Sequence, residues 1–480
     1  VGAESGHTSQ GNYAVAVGYL AGKSTQSTES VAIGYRSGET TQGQNTVAIG
    51  GDSGRTSQGN NSIAIGHSSG FTGQSTESVA IGFESAILNQ STKCVAVGNL
   101  AGRSSQGANS IALGYEAAWN TQGANSAALG FQAGMNTQGA YCMAIGPQAG
   151  KDSQGYAATA LGSLAGATTQ GQFSTAIASN AGYVSQGEKS TAIGFAAAAQ
   201  NQGTEAIAIG HNAGNQYQKA KATAIGSFAG QTSQGNSSTA IGHLAGYSSQ
   251  GNYATAIGLF AGKTSQGNHA IAIGNQAGET SHATHGIAIG YEAQTSGSNT
   301  GAVGIGYQAG YGSQGATSVA IGYEAGKTNV GQYSIVMGAY AGGNTGDGGN
   351  CIIIGKHAGA GGGTIPAGTC ILNTSGAGFS PNNVGGSFHV SAIRGSSGGS
   401  TLKYQTTSPF EVYYDTSRRE AKQNIVDMPT SEATTYLSQL QARKFEFKDN
   451  PGREYFGFIA EEVYDVKPQF AERDNDAPEV

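Results

Sequence analysis

The chain has little of what most enzymes, nucleic-acid-binding proteins and membrane proteins depend on. Asp, Glu, Lys and Arg make up only 11% of its 480 residues, and the sequence holds 8 Pro, 4 Cys and a single Trp. A net charge of −6 leaves no basic stripe, so nucleic acid is not an expected partner. No apolar run is long enough to cross a bilayer, so membrane insertion is not expected either. Glycine is abundant instead, with 80 residues, but without collagen-like triplets.

A four-residue phrase, aliphatic-Ala-aliphatic-Gly, recurs at a fixed interval along most of the chain. It is first complete at Val15-Ala16-Val17-Gly18 and returns until Ile335-Val336-Met337-Gly338. From Gly18 to Gly338 there are 20 steps of 16, so 21 copies follow one another without insertion or deletion. This regularity indicates one supersecondary unit stacked on itself. Each copy is called a coil below, and positions within it are numbered from the phrase glycine as position 0.

Large and small residues alternate around the phrase, which predicts a β-strand with two different faces. Positions −3 and −1 are mostly Val, Ile, Leu or Met, whereas positions −4 and −2 are small. Because position −1 is apolar in all 21 copies, we expect it to line the coil interior. The small face would then contact a neighbouring chain or the opposite wall. Position −3 becomes Thr in six copies, which suggests a less dry environment there: Thr159, Thr175, Thr191, Thr223, Thr239 and Thr255.

A second short strand is predicted after the Gly or Ala at position +4. It leads into a Thr/Ser-Gln-Gly segment whose Gln, at position +8, is present in 18 of the 21 coils from Gln10 to Val330. Stacked coils place equivalent residues above one another, so these amides can hydrogen-bond to each other as a ladder.

The cysteines and histidines carry no signal for a redox or metal site. Cys94, Cys142 and Cys351 all lie at position −4, which admits only small side chains, and we interpret them as reduced structural thiols. His67, His211 and His243 share position +1 but are dispersed along the chain, so no metal site and no cofactor are predicted. Aromatic residues at the same position are interpreted as packing at a coil corner, with a sugar-binding stripe as the alternative: Tyr19, Tyr35, Phe83, Tyr115, Tyr291, Tyr307 and Tyr323.

The segment from Asn61 to Gly66, Asn-Ser-Ile-Ala-Ile-Gly, and its copies resemble the repeats in the heads of trimeric autotransporter adhesins. The resemblance covers roughly residues 1–360. It implies a mostly β fold, a left-handed parallel β-roll or β-solenoid of 16-residue coils, assembled as a homotrimer. A thin coil buries little apolar area by itself, which also favours closed association of identical chains.

The composition changes towards the C-terminus. Residues 417–480 hold 22 of the chain's 52 charged residues but only two of its 80 glycines, which is typical of a small globular domain, here expected to be α+β. We divide the chain into a repeat region at 1–358, a Gly-rich neck at 359–416 and this domain at 417–480. Because Val1-Gly2 already occupy the last two positions of a phrase, an upstream segment is expected as well.

Short elements are predicted within the neck and the C-terminal domain. Strands are expected at 387–394, 401–405 and 410–415. Thr430 or Ser431 is expected to cap a short helix, and a strand is predicted at 444–448.

Two segments of the C-terminal domain resemble the intramolecular chaperone auto-processing domain of endosialidase-type phage tail spikes. They are Thr416-Ser417-Arg418-Arg419-Glu420-Ala421-Lys422-Gln423-Asn424-Ile425 and Gly457-Phe458-Ile459-Ala460-Glu461-Glu462-Val463. In that family the domain trimerises, guides folding of the fibre and then cuts itself off, and it usually ends in a helical tail that would follow Val480. The resemblance implies cleavage between Thr416 and Ser417, with Ser417 as the nucleophile and Lys422 as its base. The chemistry is reasonable, because a lysine whose pKa is lowered by burial can take the proton of a Ser hydroxyl.

The leading hypothesis is a structural virion fibre, a tail fibre or spike on the virion surface that mediates host attachment. Its expected partners are two further copies of the chain, a glycan or protein receptor on the host cell surface, and other tail, baseplate or capsid proteins. Apart from single-turnover autoproteolysis, no substrate-directed activity is expected. The alternative is a trimeric adhesin on a bacterial surface, and less favoured hypotheses are a glycan-degrading spike and an ice-binding solenoid.

Overall fold

The computed structural model describes residues 1–342, 346–361, 363–377, 385–391, 402–404, 412–414, 426–446, 452 and 454–467. It divides into two compact units, Val1–Ala392 and Ile393–Val480. The first unit is a parallel β-solenoid of 16-residue coils, so the expected fold class is confirmed.

The phrase forms the strands of one long parallel sheet, in which each strand pairs in register with the strand one coil further on. The period is constant up to Ile335–Met337, and the last three steps of the sheet, to Ile352, Cys370 and Phe388, are each slightly longer. This sheet therefore continues beyond the repeat into the predicted neck. Its 24 strands are Val15–Val17, Val31–Ile33, Val47–Ile49, Ile63–Ile65, Val79–Ile81, Val95–Val97, Ile111–Leu113, Ala127–Leu129, Met143–Ile145, Thr159–Leu161, Thr175–Ile177, Thr191–Ile193, Ile207–Ile209, Thr223–Ile225, Thr239–Ile241, Thr255–Ile257, Ile271–Ile273, Ile287–Ile289, Val303–Ile305, Val319–Ile321, Ile335–Met337, Ile352–Ile354, Cys370–Asn373 and Phe388–Ser391.

A second strand is present in 17 coils, but it is formed by the Thr/Ser-Gln segment itself, slightly later than the sequence predicted, and in all but the last of these it ends on the Gln at position +8. These strands form further parallel sheets of 12, 3 and 2 strands. They are Thr25–Gln26, Thr41–Gln42, Thr56–Gln58, Thr72–Gln74, Leu88–Gln90, Ser105–Gln106, Thr121–Gln122, Thr137–Gln138, Ser153–Gln154, Thr169–Gln170, Val184–Gln186 and Gln200–Gln202, then Thr232–Gln234, Ser248–Gln250 and Thr264–Gln266, and finally Ser313–Gln314 and Asn329–Val330.

The coil interior is filled by small side chains and by glutamine. The residues at position −2, nearly all Ala, are fully buried, as are the Ser, Ala, Thr and Cys side chains at position −4. The Gln at position +8 is equally buried, and its Nε2 donates to the carbonyl oxygen at position −3 of the preceding phrase, as from Gln122 to Ile111 at 2.8 Å. A buried amide that is hydrogen-bonded in this way holds the two walls of the coil together.

The amide ladder expected from the sequence is present along part of the column. Gln90, Gln106, Gln122 and Gln138 each donate to the amide oxygen of the Gln one coil further on, at 3.0–3.1 Å. Towards the end of the solenoid the ladder gives way to apolar packing. Position −2 changes from Ala to Val336, Ile353 and Ile371, and Ile365 lies where a Gln would otherwise be. The larger side chains fill the volume that the amides occupy elsewhere.

The described part of the second unit is α+β. It has helices Thr430–Gln439 and Ala460–Val466, and antiparallel strand pairs Leu402–Tyr404 with Val412–Tyr414 and Arg443–Phe445 with Tyr455–Gly457. The first helix and the strands predicted at 401–405 and 410–415 are confirmed over the described residues, and the strand predicted at 387–394 is the last strand of the long sheet. The strand predicted at 444–448 lies slightly earlier, at Arg443–Phe445. The capping prediction is wrong, because Pro429 is the N-cap residue and no side chain caps that helix.

Candidate assembly face and self-cleavage segment

The outward face of the long sheet is its most apolar surface. The side chains at positions −3 and −1 point away from the coil interior and are partly exposed, and the most exposed of them reach about two-fifths, as with Val15 at 45%, Ile111 at 40% and Ile207 at 37%. More than thirty Val, Ile, Leu and Met residues lie in these two columns. We call this surface the aliphatic face.

The expectation that position −1 lines the coil interior is therefore wrong. The small residues at −4 and −2 are inside, and the large residues at −3 and −1 are outside. The reason is the width of the coil, because its two walls approach so closely that Ala, Ser and a flat amide already fill the space between them. Contiguous exposed apolar patches of this extent mark an interface.

The six Thr side chains at position −3 also lie on this face and are half-buried in the single chain. The less dry environment inferred for them matches a surface that is open to solvent in the single chain.

The aromatic residues at position +1 stack on one another along the solenoid. Ring centroids of Tyr291, Tyr307 and Tyr323 are 5.2 and 4.8 Å apart with planes within 7° of parallel. The ring faces cover each other, so the geometry supports packing at the coil corner. An edge-on array also leaves little flat aromatic surface for a sugar ring to stack on.

The three repeat-region thiols, Cys94, Cys142 and Cys351, are buried and free, as the sequence indicated. Cys370 is different, because it occupies the −3 position of its strand and lies on the aliphatic face, partly exposed. Burial raises the pKa of the Cys142, Cys351 and Cys370 thiols, which disfavours the reactive thiolate in all three, and only Cys370 is also accessible from solvent.

One buried charge was not foreseen. The Asp347 carboxylate is 7% exposed and accepts hydrogen bonds from the Ser334 hydroxyl at 2.6 Å and from the backbone N–H groups of Gly331 and Gly349 at 3.0 Å. All three donors converge on Oδ1, so this carboxylate oxygen holds the turn around Gly331 and Gly349 together. Asp347 occupies the place of a Gln in the first coil that is longer than 16 residues. Counting positions in steps of 16 therefore did not identify it.

The residues of the predicted cleavage site, Thr416, Ser417 and Lys422, lie outside the described residues. Around the second resembling segment the described residues form a small charged cluster. Arg443 makes a two-pronged ion pair with Glu462 at 2.8 and 2.9 Å, and Lys467 contacts Glu432 at 3.1 Å and lies over the Tyr436 ring. These ion pairs join each helix to a neighbouring strand or helix. Leu437, Phe456 and Phe458 remain exposed beside them.

A solenoid with an uncovered apolar face, followed by a charged α+β segment, defines a fibre- or adhesin-type protein. Comparison with known families makes this more specific. Residues 42–69 and 185–213 match the YadA head domain repeat, and residues 417–472 match the family described as chaperone of endosialidase. No curated protein and no solved structure shows significant similarity to the chain. Both sequence resemblances are thus confirmed, and together they support an extracellular surface fibre. None of the helices in the described part of the chain could cross a membrane.

Proposed function

We propose that the protein is a homotrimeric virion fibre that mediates attachment to a host receptor, and that its aliphatic face is the surface through which three chains associate. The observation that carries the trimer is the pair of aliphatic columns along the 24-stranded sheet. Burying the exposed part of one such side chain contributes roughly 1 kcal/mol. Summed over the columns, this exceeds the association cost of roughly 4–15 kcal/mol. The match to the head repeats of YadA supports the same arrangement.

The virion assignment rests on the C-terminal match to the chaperone of endosialidase. In this proposal residues 1–358 form the shaft, residues 359–416 the neck and residues 417–480 a trimerisation chaperone. Other tail, baseplate or capsid proteins would hold the fibre, and a glycan or protein on the host cell would be its receptor. The head repeats alone would equally support a trimeric adhesin on a bacterial surface, which is the second candidate.

We further propose that the chaperone segment releases itself by cleavage between Thr416 and Ser417. The Ser417 hydroxyl attacks the carbonyl carbon of Thr416 while Lys422 accepts the hydroxyl proton. Lys422 returns that proton to the Ser417 nitrogen as the Thr416–Ser417 C–N bond breaks, which leaves Thr416 as an ester on the Ser417 oxygen. Water then hydrolyses the ester and releases a C-terminal carboxylate on Thr416 and a fragment that begins at Ser417 with a free amine and a free hydroxyl. This step needs no cofactor, and it happens once per chain.

The assembly face is tested by two single substitutions that each introduce a carboxylate, one on the long sheet and one on the second sheet. Ile111 lies on the aliphatic face at 40% exposure, and Leu88 lies on the second sheet at 44%. We expect Ile111→Glu to shift the mass in sedimentation equilibrium from three chains towards one, because three carboxylates would meet in an apolar interface. Leu88→Glu is the matched control and should remain trimeric. A trimer that tolerates Ile111→Glu but not Leu88→Glu would place the interface on the other wall.

The cleavage is tested by the intact mass of the full chain beside Ser417→Ala and Lys422→Ala. We expect the wild type alone to lose a fragment that begins at Ser417. If all three keep the full mass and still form trimers, the segment is a retained cap and the Ser417–Lys422 pair is not catalytic.

A further inference from the structure

The Gln column is interrupted in two consecutive coils, where His282 and Ser298 occupy position +8. His282 is fully buried, and neither ring nitrogen makes a well-aligned hydrogen bond, although the Gln294 side chain lies close to the ring. The imidazole is accommodated because Gly286 stands at position −4, where other coils have Ser, Ala, Thr or Cys. A Cβ atom on Gly286 would lie 2.7 Å from the ring Nε2, and one on Gly278 would lie 2.7 Å from Nδ1.

In the next coil a different residue supplies the amide that Ser298 lacks. Gln294 stands at position +4, where other coils have Gly or Ala, and its fully buried Nε2 donates to the Gln314 Oε1 at 2.6 Å. Gly304, at a position that is Ala in the neighbouring coils, makes room, since a Cβ there would lie 2.7 Å from Gln294 Cγ. Gln294, Ser298 and Gly304 therefore depend on one another: Gln294 supplies the amide that Ser298 lacks, and Gly304 leaves room for it. In this arrangement the Gln294 Oε1 accepts no hydrogen bond.

Two other layers of the solenoid are interrupted at the same coils. Over residues 267–312, all of which the structure describes, the second sheet has only single bridges, from Thr264 to Thr280, from His282 to Ser298 and from Ser298 to Gln314. The continuous cluster of buried alanines ends at Ala293, and a separate cluster begins at Ala309. The second sheet also has only single bridges around Gln216, but there the Gln column and the alanine cluster are continuous, whereas at residues 267–312 the Gln column, the second sheet and the core are all interrupted.

The charged and titratable groups of these coils are occupied elsewhere. Glu279 pairs with Lys263, His285 stacks on His269 and Glu292 accepts from Gln308. Burial lowers the pKa of His282 to about 4, and only the adjacent Gln294 amide opposes this shift. Among the described residues no carboxylate is placed to compensate a proton on the buried ring.

We propose that the segment formed by residues 279–298 is an acid-sensitive joint, which opens locally when His282 gains a proton while the coils on either side stay closed. An opened coil exposes the imidazole to water, where it takes up a proton near its ordinary pKa. Acid therefore favours the open form from about pH 6.5 downwards and reaches its full effect near pH 4. The joint concerns the single solenoid and does not depend on the virion assignment.

Hydrogen exchange of the full chain, followed by mass spectrometry at pH 7 and pH 4.5 and corrected for intrinsic rates, tests the joint. We expect protection within residues 279–298 to fall roughly 10- to 100-fold more at pH 4.5 than protection within residues 223–257. His282→Gln restores the usual residue and should abolish this difference. His285→Gln removes an exposed histidine of the same coil and should leave it intact.

Should His282→Gln lose protection already at pH 7, the double variant His282→Gln with Gln294→Gly restores the usual pair of residues and decides the matter. An equal acid response in wild type and in the well-folded Gln variant would overturn the proposal. So would a loss of protection spread evenly along the solenoid.

Discussion

Ala178 is the one residue that departs from glycine at position 0 between Gly2 and Gly355, and its replacement by glycine should stabilise the solenoid. Its φ is 94°, whereas the phrase glycines lie between 118° and 139°. The coils are stacked so tightly here that a Cβ on Gly162 would lie 2.7 Å from the Ala178 carbonyl carbon. The alanine Cβ forces the backbone away from the geometry that all the other coils adopt.

The size of the effect follows from two opposing contributions. An L-residue held at such a φ costs roughly 1–3 kcal/mol. Glycine loses about 0.5–1 kcal/mol more chain entropy on folding than alanine does. We therefore expect Ala178→Gly to raise the local free energy of opening by about 1–2 kcal/mol, which is a factor of roughly 5–30 in the protection of nearby amides.

Hydrogen exchange of the coils between Gly162 and Gly194 is the appropriate assay, because in a long solenoid a change of this size moves the melting temperature by only a few degrees. The matched change in the opposite direction is Gly146→Ala, where φ is 121° and the added Cβ would lie 2.8 Å from the carbonyl of Gly162. It should lower protection in its own coil. If Ala178→Gly lowers protection, or if Gly146→Ala leaves it unchanged, the reasoning from backbone strain is refuted.

Three further predictions concern buried groups. Gln122→Ala should lower the local opening free energy by about 2–4 kcal/mol, since it removes the buried hydrogen bonds to the Ile111 carbonyl, from Gln106 and to the Gln138 Oε1, and hydrogen exchange of the coil measures this. Asp347→Ala should lower the opening free energy of the last coils by a similar amount, because three hydrogen-bond donors lose their acceptor. The control Glu77→Ala removes an exposed carboxylate and should change stability little. Thermal unfolding monitored by circular dichroism measures both. Thiol titration at pH 8 should label only Cys370 in dissociated chains, since the other three thiols are inside the coil. None of the four should be labelled in the trimer, where the aliphatic face that carries Cys370 is covered. Rapid labelling of all four in the folded protein would contradict this.

Much of the fold could be predicted from the sequence because a strict period fixes equivalent residues above one another. The phrase strands, the second strands and the buried Gln column all follow from position in the repeating unit. Which face of the phrase strand is inside could not be read from alternation, since alternation gives two faces and not their environments. The informative signal was how little the residue type varies at each position. Position −2 is Ala in almost every coil, whereas position −3 accepts Thr, Ala and Met, and only a tightly enclosed site rejects such variation.

The cleavage residues were accessible to sequence reasoning only through family resemblance. A Ser and a Lys five residues apart are unremarkable in a charged segment, and neither periodicity nor burial distinguishes them. His282 and Gln294 are the opposite case, because each breaks a rule that the surrounding coils establish. In a repetitive chain, exceptions of this kind carry more local information than the repeat itself.

The distribution of side-chain size explains why folding and association should be coupled in this protein. A typical domain places its largest aliphatic residues in its own core, whereas here the core of each coil is mainly alanine and glutamine. Alanine contributes little apolar area, and the buried amides largely exchange hydrogen bonds with water for hydrogen bonds within the coil. Most of the aliphatic area lies outside, so a single chain gains only part of its available hydrophobic stabilisation when it folds. A chain of this design has a strong need for a partner while its exposed face is still open, which is the task proposed for the chaperone-like segment at its C-terminal end.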